Sequence, residues 1–239
     1  MKAFTLQEIA RATSITVSAQ QWCIDNLSYL NKPMKLLTTN SMKTLKGEKL
    51  GYTTAILYLQ PAAKVARVTL CAGAKMSGCE AGCLISSGQL GMTHGQNAAT
   101  KRTVLWMLRR AEFILQILDE VDALTRKYGG RLAIRLNGTS DIDFFEIISQ
   151  RPDVQWYDYT KIASRMSRDY GGAKYSLTYS GSAFTSASMR ATARAIDAGH
   201  NVVLAFNTKQ LAGEFTLPAE LPSYDETDLR FLDAPAVVR

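Results

Sequence analysis

KRTVLWMLRRAEFILQILDEVDALTRKYGGRLAIRLNG, residues 101–138, reads as a helix that runs into a strand, and that order decides the fold class. Val104, Met107, Leu108, Ala111, Ile114, Leu115, Leu118 and Val121 recur at helical spacing over residues 101–126, while Arg102, Arg109, Arg110, Asp119 and Asp122 fall on the polar face. The helix stops at Tyr128-Gly129-Gly130, where glycine can supply a left-handed cap. Arg131-Leu-Ala-Ile-Arg-Leu136 then reads as a strand. The rhythm repeats downstream: helix at 141–149, strand at 154–159, helix at 162–169, strand at 174–179, helix at 187–198, strand at 201–206. Upstream, residues 53–59 and 65–70 read as two strands that pair as a hairpin. Such alternation requires crossover connections, hence a mainly parallel sheet whose functional loops leave the strand C-termini. The predicted fold is α/β, a complete or partial β/α barrel. Residues 51–239 form one compact unit, and residues 1–50, rich in Thr, Ser, Asn and Lys, form a peripheral N-terminal layer.

The chain has 239 residues, 46% of them apolar and 21% charged, the composition of a globular protein with a large core. No apolar run approaches the roughly 20 residues of a membrane-spanning helix, and the first residues lack the pattern of a secretory leader. The expected setting is the cytoplasm, with no membrane partner. Four cysteines are too few for a disulfide scaffold of this length, and in a reducing compartment clustered cysteines serve as metal ligands or catalytic thiols. The formal charge of +7 is uneven: residues 61–110 carry +6 and residues 111–160 carry −4. A basic surface suits nucleic acid or phosphorylated small molecules. The absence of a Lys/Arg run leaves nucleic acid weakly supported, and no Walker A loop or dinucleotide fingerprint is present.

The basic excess surrounds Cys71-Ala-Gly-Ala-Lys-Met-Ser-Gly-Cys79-Glu-Ala-Gly-Cys83, three cysteines in a glycine-rich loop directly after a strand. Thiolates suit zinc or an iron–sulfur cluster. Zinc as the alternative metal needs a fourth ligand, from Cys23, His94 or His200. A four-iron (4Fe–4S) cluster held by Cys71, Cys79 and Cys83 keeps one iron open to a small-molecule or anionic ligand. Cys23 reads as a core thiol, His94 as a loop residue and His200 as a neighbour of a helix end. Two further strand ends carry polar groups. Asn137 and Asp141 can hold amino or hydroxyl groups of a ligand, or Ser140 or Asp141 can cap the helix that follows. In Trp156-Tyr-Asp-Tyr-Thr-Lys161, alternation sends Tyr157, Tyr159 and Lys161 to one face, where Tyr159 and Lys161 make a polar wall beside the cysteine loop. Asp225, Asp228 and Asp233 read as an acidic tail, solvated or paired to the basic surface.

Cys71-x7-Cys79-x3-Cys83-Leu, the long helix, Arg135-Leu-Asn-Gly-Thr-Ser-Asp141, Trp156–Lys161 and Asp225-x2-Asp228-Leu-Arg-Phe-Leu-Asp-Ala-Pro235 resemble the phage gene 88 protein family over residues 40–239. The order of strand, cysteine loop, helix and strand also resembles the start of a radical S-adenosylmethionine barrel, whose usual cysteine spacing is x3 and x2 rather than x7 and x3. The first resemblance implies a phage protein working in the host cytoplasm. The second implies S-adenosylmethionine at the open iron and radical, electron-transfer or sulfur-transfer chemistry on a small molecule. The alternative is a non-enzymatic phage factor that binds a host protein or nucleic acid, with the cluster as a structural or redox element.

Overall fold

Thr53 stands opposite Leu132 and Ile56 opposite Arg135 in parallel register, so the strand before the cysteine loop and the strand after the long helix are neighbours. The computed structural model describes residues 2–40, 48, 50–80, 83–86, 88–204 and 228–233. In chain order the elements are α1 (Leu6–Ala10), α2 (Val17–Asp25), α3 (Leu27–Leu30), β1 (Leu37–Thr38), β2 (Thr53–Leu57), α4 (Gly88–Gly91), α5 (Thr93–Leu108), α6 (Arg110–Tyr128), β3 (Leu132–Arg135), α7 (Phe145–Ile148), β4 (Gln155–Thr160), β5 (Tyr175–Gly181), α8 (Ser186–Asp197) and β6 (Val202–Leu204). The six strands form one sheet in the order β1-β2-β3-β4-β5-β6, antiparallel at β1–β2 and parallel elsewhere.

The mixed α/β class and the mainly parallel sheet stand as predicted. A closed barrel does not: among the described residues β1 pairs only with β2 and β6 only with β5, leaving the sheet open. Five parallel strands fall short of the roughly eight that close around a packed interior. The hairpin at 53–59 and 65–70 is also corrected. The antiparallel neighbour of β2 is β1, and residues 65–70 contribute a lone bridge, Ala66 to Ile15. The segment is held instead by Leu70 N–H donating to the Ala62 carbonyl, 3.0 Å. The predicted helix at 141–149 shrinks to α7, and that at 162–169 to a single 3-10 turn, Ala163–Arg165. Residues 205 and 206 of the last predicted strand lie outside the described residues.

The long helix is two helices. At Arg109 the backbone leaves helical geometry (φ −139°, ψ 54°), and its guanidinium lies over the Phe4 ring, 3.9 Å from the centroid, and bonds Glu8 at 2.8 Å. The polar face is therefore a docking face for the N-terminal layer. Lys101, fully buried, donates to the carbonyls of Tyr29 (2.7 Å) and Lys32, and Arg102 donates to that of Lys35 (3.1 Å). Glu120 accepts the Leu36 and Leu37 N–H groups and so fixes the start of β1. The described residues of this layer thereby share the main core, to which Ile9, Ile15, Cys23 and Leu36 belong.

Strand alternation sorts the sheet into two faces. Leu57, Leu132, Ile134 and Trp156 point into the core under α5 and α6. Ala133 and Tyr157 point the other way and are covered by Leu229 and Phe231. The Phe231 ring sits 5.0 Å from that of Tyr52 and 5.6 Å from that of Tyr157, centroid to centroid. Residues 228–233 thus lie across the face opposite the long helices.

Candidate functional site

At the C-terminal ends of β3, β4 and β5, beside the residue 228–233 segment, Arg135, Tyr159, Lys161 and Ser180 line a cavity of about 210 Å³ that the cysteine loop borders. All seven residues singled out from the sequence border it: Cys71, Cys79, Cys83, Asn137, Asp141, Tyr159 and Lys161. Four separate chain segments converge here. The convergence follows from parallel topology, which gathers strand C-termini at one edge of the sheet.

The loop reaches the cavity by winding rather than extending. Ala74 N–H donates to the Cys71 carbonyl (3.0 Å), Ser77 to Gly73 (3.1 Å), Gly78 to Lys75 (3.2 Å) and Cys79 to Ala74 (3.2 Å). These consecutive turns absorb the seven intervening residues and bring Cys79 back beside Cys71. The Cys71 thiol donates to the Thr139 carbonyl at 3.4 Å, and Asp141 N–H to the Leu70 carbonyl at 2.8 Å, tying the loop's start to the segment after β3. Gly73 packs so tightly on β4's end that a Cβ there would lie 2.5 Å from the Lys161 Cβ. Gly138 is similarly confined, its Cβ position 2.6 Å from the Leu57 carbonyl.

Burial pushes the Cys71 thiol up to about 11, helped by Cys83, Asp141 and Cys79 nearby. Burial also raises Cys79, against the opposing pull of Lys161. Lys161 is lowered, again by burial first, with Cys79 and Asp141 opposing. Cys71, Cys79 and Lys161 therefore share one electrostatic environment, in which burial holds the two thiol protons tightly.

Asn137 and Asp141 border the cavity with their polar atoms already committed. Asn137 Oδ1 accepts from Ser140 Oγ (2.9 Å) and Ile142 N–H (2.8 Å), while its Nδ2 donates to the Ile142 carbonyl and to Asp158. Asp141 accepts from Thr160 Oγ1 (2.8 Å), Lys161 N–H (2.8 Å) and Arg165 (2.5 Å). The expected helix cap is absent: α7 starts at Phe145 without a side-chain cap, and Ser140 and Asp141 brace the loop instead. Tyr159 donates to Asp228 Oδ1 at 2.7 Å, and Arg135 bonds Asp228 Oδ2 at 2.8 Å while stacking on Tyr159. Asp228, expected in a tail, therefore supports the cavity floor. Asp233 pairs with Arg230, and Asp225 lies outside the described residues. Lys161 Nζ bonds the Ser180 carbonyl (3.1 Å) and hydroxyl (3.0 Å) and forms no ion pair among the described residues.

Cys23 is fully buried in α2, and burial raises its thiol to about 11, the state of a core residue. His94 is exposed in the first turn of α5, and His200 follows α8; neither borders the cavity. Arg165 is the residue that sequence reasoning missed. Its contacts to Asp141, Tyr170 and Tyr175 span 24, 5 and 10 residues, and no local pattern marks them.

The family model for gene product 88 matches residues 34–239, most of the chain and all of this site. The chain belongs to the gene product 88 family. No curated protein and no solved structure matches it. The family is a phage one, and the likeness to radical S-adenosylmethionine barrels rests on residue order alone. Among the described residues no helix is long and apolar enough to cross a membrane. Nor do three His, Cys, Asp or Glu side chains among them stand close enough to hold a single metal ion.

Proposed function

We propose that this gene product 88 protein is an iron–sulfur protein that binds a four-iron cluster through Cys71, Cys79 and Cys83 and receives a small anionic ligand at the open iron. The observation that carries this reading is the convergence of the three cysteines with Lys161 and Ser180 on one cavity. The donor set fits the group. Three soft sulfur ligands come from one wound loop, and the bordering residues include no histidine to complete a zinc tetrahedron. The remaining bordering carboxylate, Asp141, is engaged by Arg165. A volume of about 210 Å³ greatly exceeds the roughly 10–15 Å³ that one water requires, so a polynuclear centre and a ligand group have room. The strand order supports a partial barrel, since sequential parallel strands with right-handed crossovers place their connections on one face and free the other for a site.

The polar lining favours an anion. Asp141 is neutralised by Arg165 and Asp228 by Arg135, while Lys161 is held in place by Ser180 and keeps an N–H for a ligand carboxylate or phosphate. Tyr159 and Arg135 hold the floor beneath that position. When bound, the cluster supplies one-electron chemistry and an open iron for ligand binding. S-adenosylmethionine, with its carboxylate, is the first ligand to test.

Anaerobic reconstitution is the deciding experiment. Brown protein with iron and acid-labile sulfide near four each per chain is expected, lost in Cys71→Ala, Cys79→Ala and Cys83→Ala and kept in Cys23→Ser. Colourless protein carrying zinc alone overturns the reading, as does full iron content after loss of one of the three cysteines. A change in the electron paramagnetic resonance of the reduced protein on adding S-adenosylmethionine assigns that ligand, and an unchanged spectrum removes it.

A further inference from the structure

We infer that the connection between β5 and α8 is a clamp that positions the cysteine loop, with Ser182 and Thr185 as positioning residues for Cys79. It rests on the cysteine site proposed above, but its contacts are to the loop's backbone and involve none of the thiols. Three contacts converge on the residues just before Cys79. Thr185 Oγ1 donates to the Met76 carbonyl at 2.9 Å, and Ser182 Oγ donates to the Ser77 carbonyl at 3.0 Å. The Phe184 ring covers Gly78, where a Cβ would lie 2.5 Å from Cγ of the ring. Gly78 also has φ +70°, which other residues adopt only with strain. Phe184 remains 69% exposed, so core packing does not explain its position against the loop.

Thr185 does two jobs with one hydroxyl. It caps α8 by accepting the Ser188 N–H at 3.1 Å, in a reciprocal box where Thr185 N–H donates to Ser188 Oγ at 2.9 Å, and it holds Met76. The first turn of α8 and the segment carrying Cys79 are therefore joined through one side chain. This docking also gives the long Cys71–Cys79 spacing a use, since the additional residues are the ones the clamp grips.

Two readouts test the clamp. The first is the rate at which iodoacetamide alkylates each cysteine of the metal-free full chain, resolved by mass spectrometry with buried Cys23 as internal reference. Cys79 is already exposed, so Ser182→Ala and Thr185→Val should raise its rate by at most about fivefold, the factor carried by one lost hydrogen bond. Thr185→Ser should restore it, and Ser188→Ala, which weakens the α8 cap without touching Met76, should lower the melting temperature and leave the rate alone. The second is iron loss to a chelator from reconstituted protein, expected to quicken by a similar factor in the same two variants. Unchanged Cys79 alkylation in both variants, or an equal rise in Ser188→Ala, overturns the clamp. Wild-type protein that takes up no iron overturns the iron–sulfur reading instead, and the alkylation result still decides the clamp.

Discussion

Asp158 shows how one buried side chain organises the site without touching the cavity. It is 2% exposed, accepts the Asn137 N–H at 2.8 Å, and meets Asn137 Nδ2 at 3.2 Å and the Tyr175 hydroxyl at 3.3 Å. Burial pushes its carboxyl up to about 6, against the pull of Arg135 and the Asn137 bonds. The folded chain thus holds this proton more tightly than the unfolded chain does. The resulting stability is present below about pH 4 and lost as pH rises through about 6. Unfolding free energies measured in denaturant at pH 4 and pH 7 should show wild type losing of order 3 kcal/mol relative to Asp158→Asn, at about 1.4 kcal/mol per unit. A wild-type-to-variant difference that stays constant with pH would count against this role. At this scale the sequence was informative where chemistry is local. Cys71, Cys79 and Cys83 announce themselves by spacing, and Tyr159 and Lys161 by alternation. Arg165 and Asp158 take their roles from partners distant in the chain, which spacing does not encode.

Among the elements, the cysteine loop depends on close approach more than on its thiols. Gly73→Ala would drive a methyl group into the Lys161 side chain at 2.5 Å, where the β4 backbone fixes the Cβ. Overpacking of this kind costs about 1–3 kcal/mol. Urea unfolding should show a loss in that range together with reduced iron uptake, whereas an unperturbed midpoint would mean that the loop yields freely. Element types were legible where periodicity was long, as in α6, β4, β5 and α8. The hairpin failed because 65–70 alternates like a strand yet finds its hydrogen bonds within its own turn and at Ile15. The break at Arg109 was invisible because the apolar stripe continues across it, and the cause lies in Phe4 and Glu8, about 100 residues away.

For the whole molecule, the open sheet has no α-helix over one face among the described residues, and residues 228–233 cover part of it. Arg135 is 7% exposed and depends on Asp228 for its 2.8 Å ion pair. Replacing Asp228 by Ala leaves the buried guanidinium with only the Asp158 carboxylate, 3.8 Å away, among the described residues, so the cost stays below the roughly 3 kcal/mol of a buried charge left without any partner. The melting temperature should fall, and Asp228→Asn should fall less because its amide oxygen still accepts from Tyr159. Equal melting temperatures for Asp228→Ala and wild type would show that the floor stands without this contact. Parallel direction followed from the alternation of elements, but the strand order and the cover did not. An acidic, irregular stretch far along the chain carries no pattern that points to an arginine on the third strand.

The Arg135–Asp228 pair joins residues 93 positions apart. A ribosome adding about 5–20 residues per second needs roughly 5–19 s to travel from one to the other. Throughout that interval β1, β2, β3 and the cysteine loop have been synthesised, β4 to β6 follow one by one, and Asp228 comes after them all. A newborn chain therefore passes through a stage with its thiols made and the cavity floor unfinished, and the Arg135–Asp228 contact cannot form until residue 228 has been added.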